Sequence, residues 1–384
     1  MLRVAIIGTG AIADSHIQGY LRQGESCRIV ALADLYPDKA REKAVKYGLS
    51  EARIFNGYES LLQWGEFDAA SVCLPPFEHA AASVALLRRG RHVLVEKPMA
   101  PTLEECDRML EAARQGGGLL SVVAQNRFRT PMMRVKRLLD SGRFGRLLHA
   151  QVDSFWWRGG RYYDLWWRGT WAKEGGGCTL NHAVHHVDLF LWMAGLPREL
   201  LAITANLNHD NSEVEDFSSA LMRLENGALG QFTASLVHHG EEQQLVFQCE
   251  RAKLSIPWAP KAYVQKENGF PEEAPEVLAE LQKGYEELPE LELTGHDAQI
   301  ANFVRAIRGQ EALVVDGVQG RRTVELVTAI YESAHTGRWV SLPLSKDALF
   351  YTQAGVLKNA RHFHEKTRSV ENFATSDISF GRQV

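Results

Sequence analysis

The first third of the chain alternates short apolar runs with stretches in which apolar residues recur at helical spacing. Repeated strand and helix units of this kind are typical of a doubly wound parallel sheet with helices on both faces. We therefore predict that residues 1–125 form one α/β domain. The runs that have the length of buried strands lie at 2–7, 28–33, 53–55, 69–74, 92–95 and 119–124.

Beyond Arg127 the pattern changes to longer runs. Asn226-Gly227 separates two of them and is a strong signal for a β-hairpin. We therefore predict a second, α+β domain over residues 126–343, with a large, mostly antiparallel open sheet and closing helices near 296–308 and 320–336. The runs lie at 147–157, 199–207, 217–224, 229–236 and 244–249.

The last part of the chain, residues 344–384, forms a predicted C-terminal extension. It contains one amphipathic stretch near 353–364 and no other clear pattern. Such a segment is typical of an arm or of a loose tail.

A glycine pair follows the first predicted strand, in the sequence Gly8-Thr9-Gly10-Ala11-Ile12-Ala13. This G-x-G-x-x-A pattern permits a tight turn and a close approach of the backbone to a pyrophosphate at a helix N-terminus. The second strand ends at Asp34, where a carboxylate can accept hydrogen bonds from the hydroxyls of an adenosine ribose. No arginine follows before Arg41 to receive a 2'-phosphate. We therefore predict a Rossmann domain that binds NAD in preference to NADP.

The fifth predicted strand runs directly into Glu96-Lys97-Pro98. Open α/β sheets place their chemistry at the carboxyl ends of strands, so Glu96 and Lys97 are candidates to face a ligand. A lysine that is desolvated there would have its pKa lowered towards neutrality, which suits proton exchange. The alternative is a surface ion pair after an edge strand.

A second candidate lies in the glycine-rich run 174–188, which leads into a predicted helix. Asn181 and His185 are four residues apart and therefore share one helix face. A histidine presented behind a flexible glycine loop can exchange a proton near neutral pH. The alternative is a group of histidines that only satisfy backbone groups.

A metal centre is a weaker interpretation of the same run. His182, His186 and Asp188 could be ligands, but their spacing matches no specific zinc signature, so no metal site is predicted. The five cysteines are odd in number and contain no C-x-x-C pair. They indicate a reducing cytoplasm without a disulfide framework.

An aromatic segment at 154–171 contains five of the nine tryptophans, together with tyrosines and arginines. Aromatic faces stack on the C–H faces of sugars, while arginines and Asp164 can hydrogen-bond hydroxyls, so the composition suits a glycoside pocket. The same residue types are equally at home in an oligomer interface. Both interpretations stay open.

Composition narrows the function classes further. The 384 residues are 45% hydrophobic and 23% charged, which describes a globular protein with enough apolar mass for two cores. A net charge of −4 offers no electrostatic footprint for nucleic acid or an anionic membrane. The sequence shows neither an apolar run long enough to span a membrane nor a charged and apolar leader. We therefore expect a cytoplasmic protein that binds neither nucleic acid nor a membrane.

Three of these motifs together resemble the glucose-fructose oxidoreductase and inositol dehydrogenase (Gfo/Idh/MocA) family over about residues 1–343. They are Gly8-Thr9-Gly10, Glu96-Lys97-Pro98 and the run 175–188, of which Glu-Lys-Pro is the most specific. The resemblance implies a nicotinamide dinucleotide in the N-terminal domain and a sugar or cyclitol substrate. It also implies an open sheet in the second domain that pairs subunits into a homodimer or homotetramer.

Matched by position, the resemblance implies that Lys97 is the active-site lysine and His185 the catalytic histidine. Asn181 stands where many members have an aspartate. An asparagine cannot take up a proton, but it can still hydrogen-bond a hydroxyl. Asp188 matches the family as it stands.

The predicted site residues fall into three groups. Those predicted to bind the cofactor are Gly8, Gly10, Ala11, Ile12, Asp34, Leu74, Pro75, His79, Glu96 and Lys97. Those predicted to contact substrate are Arg127, Trp157, Tyr163, Trp167, Asn181 and His182. Lys97, His185 and Asn181 are predicted to be catalytic.

The resulting prediction is an NAD-dependent oxidoreductase that oxidises a secondary hydroxyl of a sugar, glycoside or cyclitol to a ketone. Lys97 and His185 form its acid/base pair. One alternative is a glycoside hydrolase that retains NAD and works by transient oxidation and elimination. Another is a non-catalytic NAD-sensing regulator, which would have no need of an acid/base pair.

Overall fold

The computed structural model describes residues 1–371 and residue 373, and it divides into two compact units. The first unit contains residues 1–128, 173–175 and 293–324. The second contains 129–172, 176–292 and the described residues from 325 onward. Residues 293–324 therefore belong to the first unit, although the sequence pattern assigns them to the second domain.

Strands and helices alternate through the N-terminal part of the first unit. They are β1 (Leu2–Ile7), α1 (Ala13–Leu21), β2 (Cys27–Ala33), α2 (Pro37–Lys46), β3 (Arg53–Phe55), α3 (Tyr58–Trp64), β4 (Ala69–Val72), α4 (Pro76–Leu87), β5 (His92–Val95), α5 (Leu103–Gly116) and β6 (Leu120–Val122). The six strands are parallel, in the order β3-β2-β1-β4-β5-β6. This is the predicted Rossmann sheet, and its strand order reverses between β1 and β4, where open sheets bind ligands.

The remaining elements follow in chain order. They are α6 (Thr130–Asp140), β7 (Leu147–Phe155), α7 (Cys178–Asn181), α8 (Val184–Ala194), β8 (Pro197–Ala205), β9 (Phe217–Leu224), β10 (Leu229–Ser235), β11 (Gln243–Cys249), β12 (Lys253–Ile256), β13 (Tyr263–Gln265), β14 (Pro271–Glu273), α9 (Pro275–Glu286), α10 (Gly295–Ile307), α11 (Gly317–Thr336), β15 (Val340–Ser341) and α12 (Gln353–Asn359). Short 3-10 turns occur at Gly24–Ser26, Gln125–Phe128 and Gly160–Asp164.

Helix α10 belongs to the first unit because it packs on α1. Ile300, Phe303 and Val304 are buried in one apolar cluster with Ile17 and Tyr20 of α1. A side chain at Gly19 would overlap Ile300, so the two helices meet at a glycine. The apolar face of α10 is visible in the sequence, but a helical period does not say which partner that face covers.

The second unit is built on a seven-stranded sheet in the order β12-β11-β7-β10-β9-β8-β15. The predicted hairpin at Asn226-Gly227 joins the antiparallel strands β9 and β10, with Gly227 at a φ of +85°. However, β10 runs parallel to β7, so the sheet is mixed rather than purely antiparallel. Parallel neighbours need a long connection, and here the chain between β7 and β10 carries the glycine-rich run.

The two faces of this sheet differ in exposure. Alternate residues of β9, such as Ala220 and Met222, are buried in the core of the second unit, whereas Leu221 between them is 55% exposed. Ile203 on β8 and Leu229 on β10 are also exposed. The predicted open face is therefore present.

The C-terminal extension is part of the second unit over its described residues. Within the predicted amphipathic stretch, only 353–359 is helical, as α12. Residues 372 and 374–384 of the predicted extension lie outside the described residues. No helix in the described part of the chain combines the length and hydropathy needed to cross a membrane.

Candidate active site

The glycine loop after β1 leaves an open cradle at the switch point of the Rossmann sheet. Gly8 has a φ of +86°, and a Cβ there would lie 2.5 Å from the carbonyl oxygen of Cys73, which follows β4. A Cβ at Gly10 would have no neighbour within 4 Å. Gly8 is therefore needed for the close turn, while Gly10 and the exposed Ala11 leave space for a phosphate before α1.

Asp34 is held against this loop. Its Oδ2 accepts hydrogen bonds from the backbone N–H of Thr9 at 2.7 Å and from the Thr9 hydroxyl at 2.8 Å. Its Oδ1 accepts one from the backbone N–H of Tyr36. The carboxylate is thus fixed beside the predicted phosphate cradle, which is the arrangement that an adenosine ribose requires.

His79 joins two loops at the same edge of the sheet. Its Nδ1 lies 2.8 Å from the carbonyl oxygen of Pro98, and its Nε2 lies 2.7 Å from that of Leu74. The ring is 1% exposed. The prediction places His79 among the cofactor ligands, but the ring instead connects the partly exposed Leu74-Pro75 turn with the Glu-Lys-Pro loop.

Glu96 lies in a buried cluster with His16 and His296, which no sequence motif indicates. Its Oε1 accepts a hydrogen bond from His16 Nε2 at 3.0 Å and lies 3.4 Å from His296 Nε2. Burial alone would raise the pKa of Glu96, but the two histidines hold it well below its usual range. The carboxylate is therefore ionised and can only accept hydrogen bonds.

The ionised Glu96 fixes the direction of a longer chain of hydrogen bonds. His16 must carry its proton on Nε2 to donate to Glu96, and burial lowers the pKa of His16, so its Nδ1 is an acceptor. Ser71 Oγ lies 2.9 Å from that Nδ1 and 2.9 Å from the Tyr20 hydroxyl. Tyr20 therefore donates to Ser71, which donates to His16.

Lys97 differs from its neighbours in exposure. Glu96 and Pro98 are buried, whereas the side chain of Lys97 is partly exposed. The backbone N–H of Lys97 lies 3.2 Å from Glu96 Oε2, so the buried carboxylate also holds the lysine's own peptide. The loop after β5 thus presents the amine of Lys97 on a backbone that is held by a hydrogen bond to Glu96.

Residues after β6 add two polar groups that the prediction omits. The side-chain oxygens of Gln125 and Asn126 are buried and accept no hydrogen bond within the described part of the chain. Buried acceptors of this kind fit a bound group that brings donors, such as a carboxamide or a hydroxyl. An amide pair directly after a strand end is the sequence signal that could have identified them.

Arg127, which is predicted to contact substrate, is almost fully buried. It is 3% exposed, and its Nη1 donates to Gln319 Oε1 and, at 3.4 Å, to the carbonyl oxygen of Val314. All three residues belong to the first unit. The guanidinium therefore supports the packing of that unit.

In the second unit, a buried carboxylate organises the glycine-rich run. Glu215 accepts hydrogen bonds from the backbone N–H groups of Gly177 and Thr179, both at 3.0 Å, and from the Tyr331 hydroxyl at 2.9 Å. Burial raises the pKa of Glu215 to about 7, although these donors oppose the shift. Sequence patterns give no sign of this group, because Glu215 lies far along the chain from the run that it holds.

The glycine run leads into two helices, α7 and α8, so the predicted catalytic residues Asn181 and His185 lie on separate helices rather than on one face of a single helix. Asn181 Nδ2 donates to the carbonyl oxygens of Gly176 at 2.7 Å and Gly177 at 3.3 Å. His185 is half-buried in α8. Its neighbour His186 is fully buried, with Nδ1 at 2.8 Å from Ser154 Oγ, and burial lowers its pKa to about 4. His186 is therefore uncharged near neutral pH and serves the core.

The aromatic segment reaches the end of α7 within the second unit. The rings of Tyr162 and His182 are 5.3 Å apart. Arg168 is placed 4.2 Å from the ring centres of both Tyr162 and Trp167. The predicted substrate ligands Trp167 and His182 are thus connected through Tyr162 and Arg168.

Two other predicted substrate ligands differ in exposure. Trp157 is 43% exposed and stacks on His239, with the ring centres 5.5 Å apart. Tyr163 is only 1% exposed and packs edge-on against His209. The ring of Tyr163 therefore belongs to the core, because the chain turns at Gly160–Asp164 and points it inward.

Family models match most of the chain. Residues 2–124 match the oxidoreductase family with an NAD-binding Rossmann fold, and residues 132–255 match the GFO/IDH/MocA C-terminal domain. A relative from Comamonas testosteroni, 1-carboxy-3-chloro-3,4-dihydroxycyclohexa-1,5-diene dehydrogenase, is 29% identical over 64% of this chain and 60% of its own length. D-glucoside 3-dehydrogenase of Escherichia coli is 24% identical over 89% and 97%, respectively.

A solved structure agrees with these matches. The WlbA dehydrogenase from Bordetella pertussis, in complex with NADH and UDP-GlcNAcA, superposes with a TM-score of 0.76. It is 29% identical, and the match covers 90% of this chain and 99% of that one. Together with the phosphate cradle and Asp34, these similarities confirm the predicted cofactor, NAD. The chain belongs to the Gfo/Idh/MocA family of NAD-binding oxidoreductases.

Proposed function

We propose that the protein oxidises a secondary hydroxyl of a sugar, glycoside or cyclitol to a ketone. The observation that carries this proposal is the partly exposed Lys97, which extends from a buried, hydrogen-bonded loop at the carboxyl edge of the Rossmann sheet. The relatives named for a glucoside and for a dihydroxycyclohexadiene support a substrate with a ring hydroxyl. Bound NAD would supply the nicotinamide that accepts the hydride.

The cofactor would be held by residues of the first unit. Gly8 and Gly10 leave room for the pyrophosphate, and Asp34 is fixed where it can accept the ribose hydroxyls. The buried oxygens of Gln125 and Asn126 can accept hydrogen bonds from the cofactor or the substrate. This chemistry matches the donors and acceptors of a dinucleotide without a 2'-phosphate.

Lys97 and His185 form the proposed acid/base pair. His185 takes the proton of the reacting hydroxyl at a ring nitrogen, while the Lys97 ammonium stabilises the negative charge that develops on the oxygen. His185 suits this role better than His186, because His186 is buried and its pKa is lowered to about 4. Asn181 fixes the glycine run and thereby the start of the helix that carries His185.

The test is NADH formation on a panel of monosaccharides, glycosides, nucleotide sugars and cyclitols, with NADP as the comparison cofactor. We expect stoichiometric NADH with at least one class of substrate. Cleavage of a glycoside without net NADH would instead support the hydrolase with retained NAD. Tight NAD binding without turnover or ligand binding across the panel would contradict the proposal and favour the sensing role.

A further inference from the structure

The C-terminal strap, defined here as residues 361–370, is bound along the aromatic segment. The N–H of Val370 donates to the carbonyl oxygen of Asp164 at 2.7 Å, and the N–H of Trp166 donates to that of Val370 at 3.0 Å. Val370 thereby forms a parallel bridge with Leu165. The strap thus lies beside the aromatic segment and pairs with its backbone as a neighbouring strand would. It is not the arm or loose tail that the sequence predicts.

Asn211 fixes the strap and the aromatic segment to one another. Its Oδ1 accepts hydrogen bonds from the N–H groups of Thr367 and Arg368 at 2.8 and 2.9 Å. Its Nδ2 donates to Asp164 Oδ1 at 3.0 Å and to the carbonyl oxygens of Tyr163 and Arg368. One side chain, 1% exposed, therefore satisfies backbone groups of both segments.

Ion pairs and side-chain hydrogen bonds also join the strap to the aromatic segment. Arg368 forms ion pairs with Asp164 and Asp210, and Lys366 Nζ donates to the carbonyl oxygen of Tyr163. Further along, Trp171 Nε1 donates to the carbonyl oxygen of Arg361 at 3.1 Å. The strap therefore holds the aromatic segment at both its turn and its end.

These contacts bear on the partly exposed side chains of the segment. Trp166 is 38% exposed and carries the N–H that Val370 accepts. Trp167 and Arg168 follow directly, and Arg168 lies over the ring of Tyr162, which in turn contacts His182. The position of an exposed aromatic surface next to His182 thus depends on a segment some two hundred residues away in sequence.

We propose that the C-terminal strap determines substrate selectivity by holding Trp166, Trp167 and Arg168 as a platform for a second ring of the substrate. Flat aromatic faces bind the C–H face of a sugar or an aglycone ring, and a fixed platform loses less conformational entropy on binding than a mobile one. The favoured substrates are therefore glycosides or nucleotide sugars over bare monosaccharides and cyclitols. This inference rests on the proposed function.

The test compares two truncations of the full chain. One removes residues 361–384 and deletes the strap, while its matched control removes only 372–384. Because deletion of the strap could impair folding, Arg368→Ala and Asn211→Ala provide milder changes at the same contacts. Each protein is assayed on a glycoside and on the corresponding monosaccharide, with NAD binding and circular dichroism measured separately.

We expect the strap deletion to raise KM for the glycoside by roughly tenfold or more relative to the monosaccharide, with kcat and NAD affinity little changed. Arg368→Ala and Asn211→Ala should shift the same ratio in the same direction, and the control truncation should not. Direct binding of a non-reactive glycoside, followed by tryptophan fluorescence, should weaken in parallel.

Three outcomes would overturn the inference. A loss of thermal stability with an unchanged selectivity ratio would show that the strap only stabilises the fold. A change in oligomeric state with unchanged selectivity would assign the aromatic segment to an interface. Turnover by the full chain with equal preference for both substrates would remove the platform while leaving the proposed oxidation intact, whereas no turnover and no binding would refute the proposed function itself.

Discussion

Asn181 is suited to its position by its amide group. Its Nδ2 donates to two carbonyl oxygens of the glycine run, at Gly176 and Gly177. An aspartate in the same rotamer would place carboxylate oxygens against those carbonyl oxygens, which repels unless the acid is protonated. The asparagine therefore holds the glycine run in this chain, and its amide cannot take up the proton of the proposed reaction.

Lys97 and His185 are the residues for which the largest effects on rate are expected. Positioned acid/base groups typically contribute about 100- to 10,000-fold, so His185→Ala and Lys97→Met should each lower turnover by at least the smaller factor. The double variant should lose less than the product of the two, because both act on one proton. NAD affinity, measured by fluorescence, should change little in His185→Ala.

Asn181→Ala serves as the comparison for these variants. It should cost less turnover, because the Asn181 amide donates to the glycine run but cannot take up a proton. Near-normal turnover in His185→Ala would contradict the assigned base and direct the search to Lys97 alone or to Tyr162.

Asp34 should set the cofactor preference. Its carboxylate would repel a 2'-phosphate, so Asp34→Ala combined with Leu35→Arg should shift binding from NAD towards NADP. Leu35→Arg alone is the matched control, because Leu35 is 79% exposed and its change leaves the Asp34 hydrogen bonds to Thr9 in place. Titration of the unmodified protein with both cofactors checks the assignment, which fails if NADP is the tighter ligand.

Glu215 should make stability depend on pH. Its pKa is raised by burial from 4.5 to about 7, so the folded state binds more protons than the unfolded state between these values. The contribution of Glu215 is therefore fully present at low pH and is lost as pH rises through about 7. Thermal unfolding between about pH 5 and pH 8 should show a decline that Glu215→Gln reduces. The exposed Glu225→Gln should leave the decline unchanged.

At the scale of elements, the glycine run before α7 has no room for a side chain at Gly177. A side chain at Gly177 would overlap the carbonyl oxygen of Glu215, which is a backbone atom and cannot rotate away. Gly177→Ala should therefore displace α7 and, with it, the start of α8, which carries His185, and lower turnover by about tenfold or more. Gly160→Ala is the control, because a Cβ there has no neighbour within 4 Å. Equal turnover in the two variants would show that the run can shift without consequence.

Elements that obey local rules could be predicted from the sequence. Thr102, with Glu105 three residues further on, is the N-cap of α5; it accepts a hydrogen bond from the N–H of Glu105 and donates one to the Glu105 carboxylate. The strand Arg53–Phe55 and the Asn226-Gly227 hairpin are also confirmed. In contrast, α9 and the short β13–β14 pair are not among the predicted elements. Strand β13 shows no buried face, since Tyr263 and Val264 are each 51% exposed.

Among the site residues, too, those of a local motif could be predicted from the sequence, whereas those brought together by remote contacts could not. Gly8, Gly10 and Asp34 belong to one local motif and lie together as predicted. His296 reaches Glu96 only through folding, since two hundred residues of sequence separate them, and the partner of Glu215 is likewise remote. Composition could not distinguish core residues from exposed residues in the aromatic segment. Tyr163 and Trp157 are both aromatic, yet Tyr163 is 1% exposed and Trp157 is 43% exposed.

At the scale of the whole molecule, the open face of the second sheet suggests self-association. Ile203 and Leu221 are exposed on adjacent strands, and pairing two such faces would remove them from water. We propose a homo-oligomer formed through this face. Leu221→Asp combined with Ile203→Asp should shift light scattering from the oligomer to the monomer, whereas Val45→Asp, at an 83% exposed position of the first unit, should not. A monomer before any substitution would refute the idea.

The discontinuous first unit has a consequence for synthesis on the ribosome. Helix α1 emerges early, but Ile300, Phe303 and Val304, which cover its buried face, are translated nearly three hundred residues later. Until then Ile17 and Tyr20 lack part of their apolar cover, so the nascent Rossmann half is a ready client for chaperones. A truncated protein that ends at β6 would expose the same apolar surface of α1. Only a chain that extends through α10 can cover it.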